Sequence, residues 1–402
     1  MSFFRKIDII SMSLKCPLLL AKNSANFMKK VNFINKDNLR IARENVGMAT
    51  LFVSRKFNKS DKDVVLSWEN GEALPTWRQV DKLAKAYNIP SLILFSEKLI
   101  KMNKIIPDYR VKKGVEDSER VKKLVNFVIR RQEWLEQKLK EDGKKNTIQG
   151  SGKGLDSPVQ LASFIKEKLE IDLDEIKGMT GAGSRKKALK YLIGKAENKG
   201  VFIGKTVSYH NIDVDEMRGL FISNDYCPFI VLNRRDSISA QLFSIAHEFA
   251  HLFRKTEAIS NSLEFRKIGD DLDDEEIFCN RVSAELFLPK EEFTEAYYNK
   301  NDIDRFAEIY KVSTIAIFYR LNGLNKIRKA DAKGIEKEIR KDSEDYWKQL
   351  QKKKKKGGNH INNMKDSNGG LFNQVVSKYY FENKIGFTEA SSLLNFSVEN
   401  IW

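Results

Sequence analysis

The sequence predicts an α+β protein, on three observations. Helical periodicity dominates up to about residue 198 and again over residues 303–328. Between them the period shortens to three β-rich runs, GVFIGKTV (Gly200 to Val207), RGLFIS (Arg218 to Ser223) and PFIVLN (Pro228 to Asn233). A helix apolar nearly all round follows directly, containing SIAHEFAHLF from Ser244 to Phe253.

Taken in order, residues 38–95 read as short helices separated by polar turns. Leu39, Ala42, Leu51, Val53, Val64, Val65, Trp68, Val80, Leu83 and Ala84 supply apolar positions at helical spacing. Asn70-Gly71 and Leu74-Pro75-Thr76 punctuate the stretch, with Thr76 placed to cap the helix that follows. KIIPDYR, residues 104–110, reads as an extended linker. A long helix is expected from Asp117 to Asp142, with Leu124, Val128, Arg131, Leu135 and Leu139 on one face. Gly143 to Gly154 reads as a flexible break. Helices are expected at Ser157–Leu169 and Ser184–Asn198, and Asn359–Gly370 reads as a second polar break.

Composition sets the outer limits. The chain has 402 residues, 41% hydrophobic and 10% aromatic, enough for two or three domains with cores. No apolar run approaches the roughly 20 residues that span a bilayer, so no membrane partner is expected. Cys16, Cys227 and Cys279 are far apart and form no CxxC pair, which points to a reducing cytoplasm. A second methionine, Met28, opens MKKVNFINKDNLR, so residues 1–27 read as an extension or as untranslated sequence. The net charge of +16 suits a nucleic-acid partner. Residues 326–356, however, hold 13 Lys/Arg against 6 Asp/Glu with little aromatic interleaving, the pattern of a solvated helix running into a linker.

His247 and His251 lie four residues apart, on one face of a helix, so both imidazoles can reach one ion. Glu248 between them would sit beside the open coordination position as a general base. A buried His-Glu-His without partners is costly, and a metal is one solution that satisfies all three. A third ligand is sought in DDLDDEEIFCNRVSAELFLPK (Asp270 to Lys290), where Glu275 and Glu276 stand at the helix's buried edge. Glu276 shares a face with Asn280 and is preferred; Glu275 lies on a more solvent-like side. Cys279 reads as a small core residue.

LSWENGEALPTWRQVDKLAKAYNIP resembles the end of the XRE-type helix-turn-helix domain of phage and plasmid repressors. That resemblance implies DNA contacts from Lys62, Ser67, Arg55 and Lys56. Asp61 and Asp63 on the same helix would repel phosphates, and residues 38–77 carry 6 Lys/Arg against 5 Asp/Glu, so protein contact is the competing reading. The ordered set RGLFIS, PFIVLN, RRD, LFSIAHEFAHLF and EIFCNRVSAELFLP resembles the ImmA/IrrE metallopeptidases. The likeness covers residues 38–330 and, more weakly, 371–402. It departs from the family pattern at Ala250, Gln241, Cys279 and Val282.

The resemblance implies a zincin-like domain in which His247, His251 and Glu276 hold Zn2+ and Glu248 is catalytic. It also implies a repressor or antitoxin-like protein substrate in a mobile-element, toxin–antitoxin, stress or phage-response setting. Tyr209, His210, Arg218 and Tyr226 stay open as oxyanion donors, and strand Arg218 to Ser223 as a pairing edge for an extended substrate. The alternative is a DNA-binding regulator or antitoxin whose zinc domain is structural or a sensor; a homodimer is kept open. The expected organisation is an N-terminal extension (1–37), a helix-turn-helix (38–100), a linker with a long helix (101–155), the peptidase domain (156–330), a basic linker (331–370) and a C-terminal helical unit (371–402).

Overall fold

The computed structural model describes residues 30–45, 48, 50–55, 57, 63–87, 89, 91–99, 119–207, 212–256, 258–260, 274–352 and 359–401. The chain divides into two compact units, Met1–Ile105 and Ile106–Trp402.

The first unit contains α1 (Lys36–Asn45), α2 (Thr50–Ser54), α3 (Val64–Asn70), α4 (Trp77–Ala86) and a short 3-10 turn at Ser91–Phe95. Leu39, Ala42, Val53, Val65, Trp68, Val80, Leu83 and Ala84 form its core, as their spacing predicts. Leu51 does not: in so short a helix Val53 takes the inward slot, and Leu51 is 37% exposed. Thr76 caps α4 as expected, in a reciprocal capping box with Gln79. Arg43 ties α1 to α3 through both carboxylate oxygens of Glu69, at 2.7 and 2.9 Å.

Asp63, expected to face phosphates, is instead the N-cap of α3. It accepts from Leu66 N (3.0 Å) and from the hydroxyls of Ser54 and Thr50, joining α2 to α3. Burial alone would raise the Asp63 pKa, but these hydroxyls outweigh it and hold the carboxyl below its usual range.

The second unit begins with α5 (Glu119–Glu141), α6 (Pro158–Leu169), α7 (Leu173–Gly178) and α8 (Ser184–Glu197). Strands β1 (Phe202–Lys205), β2 (Gly219–Ile222) and β3 (Phe229–Leu232) lead into α9 (Ile238–Arg254), β4 (Ala258–Ser260) and α10 (Asp274–Phe287). The chain continues with α11 (Lys300–Tyr310), α12 (Thr314–Gly323), α13 (Lys329–Lys352), α14 (His360–Asn368), α15 (Gly370–Phe381) and α16 (Phe387–Leu394). The sheet order is β1-β3-β2-β4, with β1 parallel to β3 and the other pairs antiparallel.

Strand periodicity sorts the sheet into two buried faces. Ile203, Phe221, Ile230 and Leu232 pack into one core with α6, α8, α9 and α10. Phe202, Leu220, Ile222, Phe229 and Val231 pack into a second core with α5, α15 and α16. The face predicted on α5 is the one it buries. Arg131 lies there too, 6% exposed, with Nη2 donating to Asn368 Oδ1 (2.7 Å) and Leu393 O (2.8 Å).

Three expectations change. Residues 359–370 are not a break, because Asn359 caps α14 and Ser367 donates from it to Thr206 O at the end of β1. The helical span 303–328 is two helices, parted where Lys311 turns left-handed (φ 65°) and Ser313 caps α12. Within 326–356, α13 buries Ile339 in the first core, although most of its surface is exposed as expected.

Candidate metal centre

Helix α9 is buried continuously from Ala240 to Phe253. Ser237 caps its start, the hydroxyl accepting from Ala240 N at 3.1 Å. At its other end Lys255 adopts φ 59°, and Thr256 N closes the turn on His251 O at 3.0 Å. The Leu252 carbonyl, which also accepts from Lys255 N (3.3 Å), accepts from Gly150 N (3.0 Å), and the Phe253 carbonyl accepts from Gly152 N (2.9 Å). A Cβ on Gly152 would lie 2.7 Å from Leu161 Cδ1 and 3.3 Å from Phe253 O, so a larger residue would crowd this approach. The Gly143–Gly154 stretch read as a flexible break is thus a clamp on the end of this helix.

The helix delivers His247, Glu248 and His251 at 2%, 0% and 1% exposure. His247 Nε2 and His251 Nε2 stand 3.0 Å apart. From α10, Glu276 Oε2 comes to 3.2 Å of His247 Nε2 and Oε1 to 3.3 Å of His251 Nε2. The opposite nitrogens are engaged elsewhere: His247 Nδ1 meets Asn280 Oδ1 and His251 Nδ1 meets Thr256 Oγ1, both at 2.9 Å. An amide oxygen only accepts, so His247 carries its proton on Nδ1 and turns the Nε2 lone pair toward Glu276.

Two imidazole acceptors and a carboxylate facing one another repel unless a cation lies between them. Ligand bonds of about 2.0–2.1 Å around a tetrahedral ion separate the donor atoms by about 3.3–3.4 Å. The observed 3.0–3.3 Å spacings fit that demand. Burial alone would make the His247 imidazole less basic, but Glu276 beside it reverses the balance and raises its pKa. Burial would likewise raise the Glu276 pKa, yet the two histidines hold it well below the carboxylate range.

Of the two acidic candidates on α10, Glu276 is the one that faces both histidines. Glu275 turns to the Arg254 guanidinium at 2.7 and 3.2 Å. Cys279 is fully buried, and burial pushes its thiol pKa well up. Glu248 lies against β2, where a Cβ on Gly219 would fall 2.2 Å from Glu248 Oε1.

Other candidates stand apart. Arg218 pairs with Asp236 at 2.7 Å, both largely buried. Tyr226 packs against the second core, with the Lys140 ammonium 5.3 Å from its ring centre. Tyr209 and His210 lie outside the described residues, as do Lys62, Lys56 and Asp61 in the first unit. Ser67 spends its hydroxyl on Val64 O within α3 (2.8 Å), and Arg55 is exposed. Strand β2 is not a free pairing edge, because β3 and β4 flank it. Among the described residues, the strand with an unpaired edge beside α9 is β4.

Sequence reasoning placed Asn280 beside Glu276 without giving it a role; the one-turn spacing on α10 was the available signal. Thr256 and Gly219 carried none, since each acts through a turn or a strand register.

No helix among the described residues is long and apolar enough to cross a membrane. Neither the curated proteins nor the solved structures compared gave a match. Residues 204–322, which carry His247, Glu248, His251 and Glu276, match the Peptidase_M78 family model, the IrrE N-terminal-like domain, and this match supports the ImmA/IrrE family.

Proposed function

We propose that this chain is a zinc-dependent endopeptidase that cleaves a regulatory protein of repressor or antitoxin type. The observation that carries the reading is the meeting of His247 Nε2, His251 Nε2 and the Glu276 carboxylate at one point, with Glu248 buried beside them. Bound zinc supplies Lewis-acid polarisation of a peptide carbonyl and of water. Glu248 would take a proton from the attacking water and return it to the leaving amine. A purely structural site has no use for such a base.

Gly219 gives a direct check on that placement. Gly219→Ala pushes a methyl group into the Glu248 carboxylate, so zinc binding should persist while turnover falls about 10²-fold, the usual cost of a displaced catalytic group. Unchanged turnover in a folded, zinc-loaded variant would remove Glu248 from the reaction.

The setting is a mobile-element, toxin–antitoxin, stress or phage-response system in the cytoplasm, where the buried Cys227 and Cys279 stay as free thiols. A second reading makes the first unit a DNA-binding helix-turn-helix. Leu51 and Leu66 are exposed on α2 and α3, while Ser67 and Asp63 are engaged within the fold. That surface favours a protein partner over a phosphate backbone.

The test incubates the full chain with a repressor-like protein encoded beside it. Cleavage should stop with a zinc chelator and return with zinc. Salt-dependent binding to its own promoter without cleavage would favour the regulator instead.

A further inference from the structure

Beyond the three ligands, a chain of hydrogen bonds runs outward from His251. Its Nδ1 lies 2.9 Å from Thr256 Oγ1, and Thr256 Oγ1 lies 3.2 Å from Glu275 Oε1. Glu275 is held by the Arg254 guanidinium at 2.7 and 3.2 Å, and Arg254 is itself fixed by Leu155 O (3.2 Å) and by the Phe278 ring, 4.5 Å away. The direction of this chain is set by chemistry. An ionised carboxylate only accepts, so the Thr256 hydroxyl spends its proton on Glu275 and offers its lone pair to His251. His251 then carries its proton on Nδ1, and its Nε2 lone pair faces His247 and Glu276.

We propose that Thr256 is a positioning residue of the metal centre, which holds the His251 ring and tautomer through the Arg254–Glu275 pair. This rests on the metal-centre reading above. The left-handed Lys255 makes it geometrically available, since that turn folds Thr256 back over the helix end and closes Thr256 N on His251 O. His251, Glu275 and Cys279 also stand close enough to be taken for a second cation site. The relay decides against it: Nδ1 of His251 already bears a proton, Arg254 already neutralises Glu275, and Cys279 Sγ stands back at 3.7 Å from His251 Nδ1.

Zinc affinity of the full chain, measured by competition with a chromogenic chelator, tests the relay. Thr256→Val keeps the shape and removes the hydroxyl, and should weaken zinc binding about 10–100-fold, the range for lost outer-sphere partners. Thr256→Ser keeps the hydroxyl and should restore affinity, while the Tm of the zinc-free proteins stays at the wild-type value. Unchanged affinity in Thr256→Val, beside a wild type that binds zinc, overturns the relay alone. So does a serine variant that fails to rescue, or a zinc-free Tm that falls in step with affinity. Two zinc ions per wild-type chain, dropping to one in Cys279→Ala, overturn it in favour of the second site. A wild type that binds no zinc removes the metal centre and the relay together.

Discussion

Glu248→Gln is expected to bind zinc as the wild type does and to lose peptide hydrolysis by about 10²–10⁴-fold, the usual contribution of a general acid–base group. Glutamine matches glutamate in size, so it fits the slot that Gly219 leaves beside β2. The proposed ligands are His247, His251 and Glu276, and none of them is altered. What disappears is a carboxylate able to hold a proton between the water and the leaving amine. Metal content by elemental analysis and turnover of the cleaved protein are the two measurements. If cleavage persists at equal zinc content, proteolysis by this site is refuted. If zinc is lost with the carboxylate, Glu248 belongs among the ligands.

Phe372→Ala should destabilise the second unit by about 3–5 kcal/mol, as expected for a large aromatic removed from a packed core. Phe372 is 1% exposed on α15 and meets Phe229 of β3 edge-to-face with ring centres 6.3 Å apart. The Arg131 guanidinium from α5 lies 4.6 Å from its ring centre. One side chain therefore joins the C-terminal helices, the sheet and the long helix. Urea unfolding followed in the second unit would read the loss. No change would mean that residues 371–402 stand as a helical unit apart from this core.

The metal site was legible because its constraints are local. HEFAH sets two candidate ligands and a candidate base by helical spacing, and Glu276 stands one turn from Asn280 on the next helix. The strands were legible for the same reason, each within two residues of its observed bounds. What could not be read were properties of pairing and crossing. RGLFIS declares itself a strand, but nothing in it says that β4 will pair with its far side. Gly143–Gly154 has the composition of a loose connection, and its role comes from carbonyls of a helix a hundred residues later. Asp63 reads as a charge on a helix surface until Thr50 and Ser54 are brought to it.

The second face of the sheet sets an order on events during synthesis. β1, β2 and β3 and the candidate ligands lie before residue 277, whereas Phe372, Val376, Leu394 and Val398, which share a core with Phe202, Leu220 and Phe229, come more than ninety residues later. A nascent chain that has already released HEFAH therefore still exposes the part of this apolar sheet face that α5 does not cover. Such surfaces are the ones that chaperones bind and that aggregate when exposed. A fragment cut at the bounds of the family match, 204–322, would keep that face bare permanently.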